Sequence, residues 1–143
     1  MWKHWLRTQA PAATVLVRVM VGAVFLSEGT QKFLFPDQLG MGRFLKIGLP
    51  MPDVLGPFVG TVEVTCGTLV LLGLVTRLAV IPLLTIMAVA LTTTKWPMLA
   101  EQGFWYMAHE SRTDWSMTLG SAYLLVVGAG PWSLDAAITR RRR

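Results

Sequence analysis

Cysteine and charge are both scarce in this sequence. The single cysteine, Cys66, excludes an intramolecular disulfide, a CxxC redox pair and a cysteine-rich metal site. Charged residues make up only 15% of the 143 residues, whereas hydrophobic residues make up 53%. The sequence also has no HExxH pair, no glycine-rich phosphate loop after a strand and no flavin or nicotinamide fingerprint. Any redox cofactor is therefore expected to be a diffusible quinone or to belong to a partner protein.

Four apolar blocks fill most of the chain, and they lack the regular polar faces of a soluble domain. A hydrocarbon core takes about 20 helical residues to cross, so each block is long enough to span a bilayer. The blocks cover residues 12–35, 57–76, 78–96 and 115–131. The sequence predicts an all-α fold, an integral membrane four-helix bundle that forms one domain over residues 1–143. A short interfacial turn is expected at Met41–Ile47, in the first outer loop.

Basic side chains mark the side on which both termini are expected. That side carries seven basic residues against Asp135 alone, and the other side carries four basic residues against five acids. The seven are Lys3, Arg7, Arg77, Arg140, Arg141, Arg142 and Arg143. Because positively charged flanks stay in the cytoplasm, both termini are predicted to be cytoplasmic in a bacterial inner membrane. The net charge of +5 thus indicates orientation, and no nucleic-acid partner is expected.

Three ionisable residues in the first two blocks are the candidate catalytic residues: Glu28, Lys32 and Glu63. Glu28 lies four residues before Lys32, a spacing that favours an ion pair along the helix. We expect all three side chains to meet at one level between the first two helices, near the outer face. Two acids around one lysine leave at least one acid hard to ionise. Two interpretations stay open, a structural clamp between helices and a proton-linked or polar-ligand site.

Small residues share the helix faces that carry these charges. Gly56, Gly60 and Gly67 lie on the face of Glu63, and the four-residue spacing from Gly56 to Gly60 allows a neighbouring helix to approach closely. Gly29 lies on the face of Lys32 together with Arg18, which is about 15 Å below Glu28 along the helix. We expect a cavity between the first two helices. Four residues are expected to line it and to bind any cofactor there: Arg18, Gly29, Gly60 and Gly67.

No metal site is predicted. His4 and His109 are expected on opposite sides of the membrane, so they cannot ligate one metal or haem. His109 and Glu110, with Asp114 nearby, have the side chains of a weak metal or proton-relay cluster, but an interfacial loop histidine is the simpler interpretation.

Three segments together resemble the DoxX family of small membrane proteins. The stretch from Arg18 to Lys32 is similar to the family's opening helix, with its Arg, Gly-x-x-Phe step and later Gly-x-x-Lys. Val62-Glu63, followed by Gly67, Gly73 and Thr76-Arg77, resembles its second helix. The run Gly130-Pro131-Trp132-Ser133-Leu134-Asp135 resembles its closing motif, which is usually Gly-Pro-Gly. The polar positions that match are Arg18, Lys32, Glu63 and Arg77.

The resemblance implies a four-helix membrane bundle linked to redox and sulfur metabolism. Some relatives are membrane subunits of a thiosulfate:quinone oxidoreductase, and others form a complex with a superoxide dismutase and a sulfurtransferase. We therefore predict a membrane subunit of a redox system, with a quinone as candidate cofactor and a redox enzyme as candidate partner. Glu63 and Glu28 would handle protons, and Lys32 would hold an anionic or carbonyl oxygen.

Two other functions remain open, and a homo-oligomer is compatible with each. The first is a non-enzymatic scaffold that holds a soluble redox enzyme through the arginine tail and the aromatic segment 97–114. The second is a small proton-coupled transporter, although a lysine beside both acids argues against a cation site.

Overall fold

A computed structural model describes residues 3–6 and 10–141, and the side chains of 5–6 and 10–141. These residues form helices and connections, with no strand in the described ranges, so the all-α prediction is confirmed. The four longest helices are α2 (Thr14–Leu34), α5 (Pro52–Leu72), α6 (Thr76–Ala90) and α9 (Arg112–Val127). The shorter ones are α1 (Lys3–Leu6), α3 (Pro36–Leu39), α4 (Met41–Ile47), α7 (Trp96–Gln102), α8 (Phe104–Glu110) and α10 (Leu134–Arg141). Arg7, Arg142 and Arg143 of the predicted charge asymmetry lie outside the described residues.

A single π-helical turn, Leu91–Lys95, joins α6 to α7. The helix from Thr76 to Gln102 is therefore continuous over 27 residues. It and α5 are the two described helices long and apolar enough to cross a membrane. α2 is as long as α5, but Arg18, Glu28 and Lys32 lower its hydropathy, and α9 has only 16 residues.

The long helices pack through small and apolar residues. α2 lies along α5, α6 contacts α5 and α9, and α9 also contacts α2. Apolar side chains from all four helices meet in a shared core, including Phe25, Val70, Leu83 and Leu124, each at most 1% exposed. Other apolar side chains of α2 and α9 face outward, among them Leu16 at 71% exposure and Val126 at 73%. Such an outer surface suits a lipid environment.

Glycines set the distance between α2 and α5. A Cβ on Gly29 would lie 2.8 Å from the carbonyl oxygen of Gly60, and one on Gly67 would lie 2.8 Å from the amide nitrogen of Leu26. Real side chains do not tolerate such contacts, so the two backbones meet here because these positions lack a Cβ. The close approach predicted from the glycine spacing is confirmed.

Two helix boundaries near the second block differ from the prediction. α5 begins at Pro52, five residues before the predicted start at 57, since Pro52 can occupy the first turn of a helix without losing a bond. It ends at Leu72 because Gly73 adopts the left-handed conformation with a φ of 68°. The second block therefore ends as a helix four residues before the predicted end at 76, and α6 begins at Thr76 rather than at 78, after a turn at residues 73–75.

Helices also fill the segments expected to be loops. The predicted short turn at Met41–Ile47 is the helix α4. Residues 97–114 form most of α7, all of α8 and the start of α9, which begins at Arg112 rather than 115. α9 ends at Val127 rather than 131, where Gly128 has a φ of 87°. At the other end of the molecule α1 contacts α10, so these two short helices lie close together.

Candidate functional site

A buried ion pair joins α2 to α5. Lys32 lies in the last turn of α2, and its Nζ is 2.7 Å from Oε2 of Glu63. The side chains of Lys32 and Glu63 are 11% and 3% exposed. A Cβ on Gly29 would lie 2.9 Å from the Cβ of Glu63, so the glycine leaves the room that the glutamate needs. The structure thus brings Lys32 and Glu63 together as predicted.

Glu28 takes a different position from the predicted one. Within the described ranges, no ion pair of 4.0 Å or less joins it to Lys32. Lys32 extends across to α5 instead of back along its own helix, because Glu63 is buried and needs the positive charge more than the exposed Glu28 does. The expected Glu28–Lys32 pair is therefore wrong, although both side chains face the same cavity.

The cavity beside this pair has a volume of about 600 Å³, within the range of small-molecule sites. Its walls come from α2, the end of α3, α4 and the connection that follows it, α5, α6 with the π-helical turn, α8 and α9. Most of the lining is apolar, for example Val24, Phe25, Phe44, Phe58, Ile86 and Met117. The cavity thus lies among all four long helices and extends well beyond the space between the first two.

A second ion pair lines the cavity on the side of α6 and α9. Nζ of Lys95 is 3.4 Å from Oδ2 of Asp114, and their side chains are 12% and 20% exposed. This pair is not among the predictions made from the sequence. A signal for it is present there, since Lys95 falls at the end of the third apolar block and Asp114 just before the fourth. The connection between two consecutive helices brings such ends close together.

Arg18, Gly29, Gly60 and Gly67, the four predicted cofactor-binding residues, lie away from the wall of this cavity. None of the four is among its lining residues. The glycines lie in the α2–α5 contact, where a cavity would separate the backbones that they bring together. Arg18 is 4% exposed, and its guanidinium donates to the carbonyl oxygens of Leu71 at 3.1 Å, Ala129 at 3.1 Å and Trp132 at 2.6 Å. It thereby satisfies a carbonyl oxygen in the last turn of α5 and two carbonyl oxygens in the segment that follows α9.

Asp135, the last residue of the closing motif, binds the backbone at the start of α6, near the carbonyl groups that Arg18 contacts. Its carboxylate accepts hydrogen bonds from the amide of Val75 at 2.7 Å and the amide of Thr76 at 3.1 Å. These amides open α6, so Asp135 caps that helix from a distant part of the chain. Burial raises the pKa of the Asp135 carboxyl, although the two amides and the nearby Arg18 act in the opposite direction. Arg77, another matched position, donates to the carbonyl oxygen of Val126 at 2.9 Å.

His, Cys, Asp and Glu are the side chains that most often bind metal ions in proteins. Across residues 3–6 and 10–141, no group of three or more is arranged to hold a metal ion. His109 is exposed in the last turn of α8, and Cys66 is partly buried in α5.

Comparison with known proteins gives the class of this chain. The model of the DoxX family matches residues 13–96, which include the Lys32–Glu63 pair and its glycine contact. A membrane protein of Mycobacterium tuberculosis, Rv3486, described as uncharacterized, is 49% identical over 146 residues, which cover 98% of this chain and 90% of that protein. This chain therefore belongs to the DoxX family of membrane proteins. No solved structure matches it.

Proposed function

We propose that this protein is the membrane subunit of a redox system and that its cavity receives a quinone or a small sulfur compound. The observation that carries the proposal is the Lys32–Glu63 pair in the wall of a mostly apolar cavity. Ionisable groups are expensive inside a membrane protein and usually serve its function.

The cavity's chemistry suits an amphipathic ligand. Its apolar walls can take a ring and the start of a tail, and Lys32 can donate to a carbonyl oxygen or an anionic oxygen. Reduction of a quinone to a quinol takes two electrons and two protons. Glu63 and Glu28 would deliver the protons, and a donor in a partner subunit would supply the electrons.

The proposal includes an arrangement in the membrane. The single domain would cross a bacterial inner membrane four times, through α2, α5, the helix from α6 to α7, and α9, with both termini in the cytoplasm. Length and hydropathy identify α5 and the helix from α6 to α7 as candidate membrane spans but not α2 and α9. The outward apolar side chains of α2 and α9 support membrane crossings by these two helices as well. The contact between α1 and α10 agrees with termini on one side. A homo-oligomer is compatible with this arrangement.

Equilibrium binding of a short-tailed quinone to the protein in lipid nanodiscs tests the proposal. The informative variant is the double substitution Lys32→Met with Glu63→Gln, which removes both charges together and leaves no unpaired buried ion. We expect it to fold and to lose quinone binding. Lys46→Met is the matched control, because Lys46 is exposed on α4 and lines no part of the cavity. Unchanged binding by the folded double variant would show that the pair is only a structural clamp.

A scaffold is the second candidate function, because bulky aromatic side chains project from α7 and α8. Trp96 is 71% exposed, Phe104 57% and Trp105 82%. They could dock a redox enzyme at the membrane. Purification in mild detergent separates the two functions: a stoichiometric enzyme partner, without quinone binding by this chain, would favour the scaffold.

The transporter alternative is weaker, since Lys32 already neutralises Glu63 where a cation would bind.

A further inference from the structure

The Lys95–Asp114 pair is looser than the Lys32–Glu63 pair. Its N–O distance is 3.4 Å against 2.7 Å, and its carboxylate is 20% exposed against 3%. All four side chains line the same cavity. A longer and more exposed ion pair loses less when one partner turns to a third group. Lys95 is therefore the better placed of the two lysines to exchange its carboxylate for a ligand.

The π-helical turn contributes three residues to the wall of the cavity. Thr93, Thr94 and Lys95 follow one another in the chain, and all three line it. Hydroxyls of this turn are bonded to the backbone, since Thr92 donates to the carbonyl oxygen of Ala88 at 2.9 Å and Thr93 donates to that of Val89 at 2.6 Å. Such single π-turns often lie at functional sites.

The charges around the cavity restrict the ligand. Four carboxylates and three cationic side chains line it: Glu28, Glu63, Glu110, Asp114, Lys32, Arg43 and Lys95. Both lysines already have a carboxylate partner. An anion entering here would meet more negative than positive charge. A neutral molecule with acceptor oxygens can accept hydrogen bonds from the lysines without that repulsion.

We propose that Lys95 is a second ligand-contacting residue and that the cavity binds a neutral molecule with an acceptor oxygen at each end. Lys32 donates to one oxygen, and Lys95 turns from Asp114 to donate to the other. This inference rests on the proposed function and narrows it, because a para-quinone meets the requirement and a sulfur oxyanion does not.

Binding of a para-benzoquinone with a decyl tail to the protein in nanodiscs tests this inference through single substitutions. Lys95→Met should raise Kd about tenfold, the effect of losing one hydrogen bond from a charged donor. Asp114→Asn should lower Kd, because it frees Lys95 from its carboxylate. Lys95→Arg, which keeps a cationic donor, should recover part of the affinity that Lys95→Met loses, and the control Lys46→Met should bind as wild type. Thiosulfate should not displace the quinone.

Two results would overturn the inference. One is a Kd for Lys95→Met equal to that for Lys46→Met in folded protein. The other is weaker binding by Asp114→Asn, which would mean that the pair only supports the structure. If quinone binding depends on Lys32 and Glu63 but not on Lys95, this inference fails and the proposed function stands. If the wild-type protein binds no quinone, both fail.

Discussion

At the scale of single residues, the ion pair of Lys32 and Glu63 is the shorter and more buried of the two ion pairs that line the cavity. Both side chains are largely removed from solvent, so each compensates for the cost of burying the other. Such a pair adds little net stability compared with apolar residues of similar size, but removing one partner leaves an uncompensated charge. The energetic signature of the pair is therefore a strong dependence of each residue on the other.

A double-mutant cycle tests that dependence. Lys32→Met should lower the free energy of unfolding by about 3–5 kcal/mol, because Glu63 stays buried without its partner. Adding Glu63→Gln should recover most of the loss, whereas Lys46→Met should have little effect. Unfolding in detergent can be followed by the reactivity of Cys66, the single and partly buried thiol of α5. Additive losses from the two substitutions would contradict the pairing.

The sequence predicted this pair but could not predict every partner. The pairing of Glu63 with Lys32 is predictable because burying a charge in an apolar block costs free energy. Each ionisable residue there therefore needs an opposite charge nearby. The spacing along one helix predicts an ion pair between Glu28 and Lys32. In the structure Lys32 pairs with Glu63 instead. Helical spacing shows which partners are within reach. The choice between them depends on which carboxylate is buried, and that is set by tertiary packing.

At the scale of helices, the α2–α5 contact depends on positions without a Cβ. We expect Gly29→Ala to destabilise the protein by about 1–3 kcal/mol, since the new methyl group would lie 2.8 Å from the carbonyl oxygen of Gly60. Ala23→Val is the control, because it adds methyl groups to an exposed position of the same helix. Equal stability of both variants in a thermal unfolding assay would contradict the close contact.

Asp135 is the second prediction at this scale, as it caps α6 from the far end of the chain. Asp135→Ala should lower stability by about 1–2 kcal/mol, because the amides of Val75 and Thr76 lose their acceptor. Glu101→Ala, an exposed acid of α7, should change it little. A loss for Asp135→Ala no larger than this control would contradict the capping role.

The same carboxyl predicts a pH effect. Because burial raises the pKa of Asp135, the folded protein binds its proton more tightly than the unfolded chain does. The resulting stabilisation is fully present below the ordinary pKa of 3.8 and is lost as the pH rises through the higher folded value. Relative to Asp135→Asn, the wild-type protein should therefore become more stable from neutral to mildly acidic pH. An unchanged difference in unfolding midpoint would contradict the raised pKa.

Helix existence was predictable and helix ends were not. Apolar length alone located α2, α5, α6 and α9. The boundaries depend on local conformations and distant caps, such as the left-handed Gly73 and the carboxylate of Asp135. The π-helical turn also escaped prediction, since its wider turn has no signature in the apolar pattern.

At the scale of the whole molecule, the proposed topology places α3 and α8 on the outer side of the membrane and α10 on the cytoplasmic side. Single cysteines in a Cys66→Ala background test it, at Asp37, His109 and Arg140, which are exposed positions in these helices. An impermeant maleimide should label the first two positions in intact cells and Arg140→Cys only after permeabilisation. The opposite labelling pattern would reverse the orientation and place the mouth of the proposed site in the cytoplasm.

The central claim is that the charged wall of this cavity binds a quinone. The most direct test is to locate the bound quinone on the protein. A photoreactive quinone can be crosslinked to the protein in nanodiscs and its adducts mapped by mass spectrometry. We predict adducts on cavity-lining segments of α2 and α5, around Phe25 to Lys32 and Phe58 to Glu63, and their loss in the folded Lys32→Met/Glu63→Gln variant. Adducts confined to outward-facing residues such as Leu119 and Val126, unchanged in that variant, would contradict the claim.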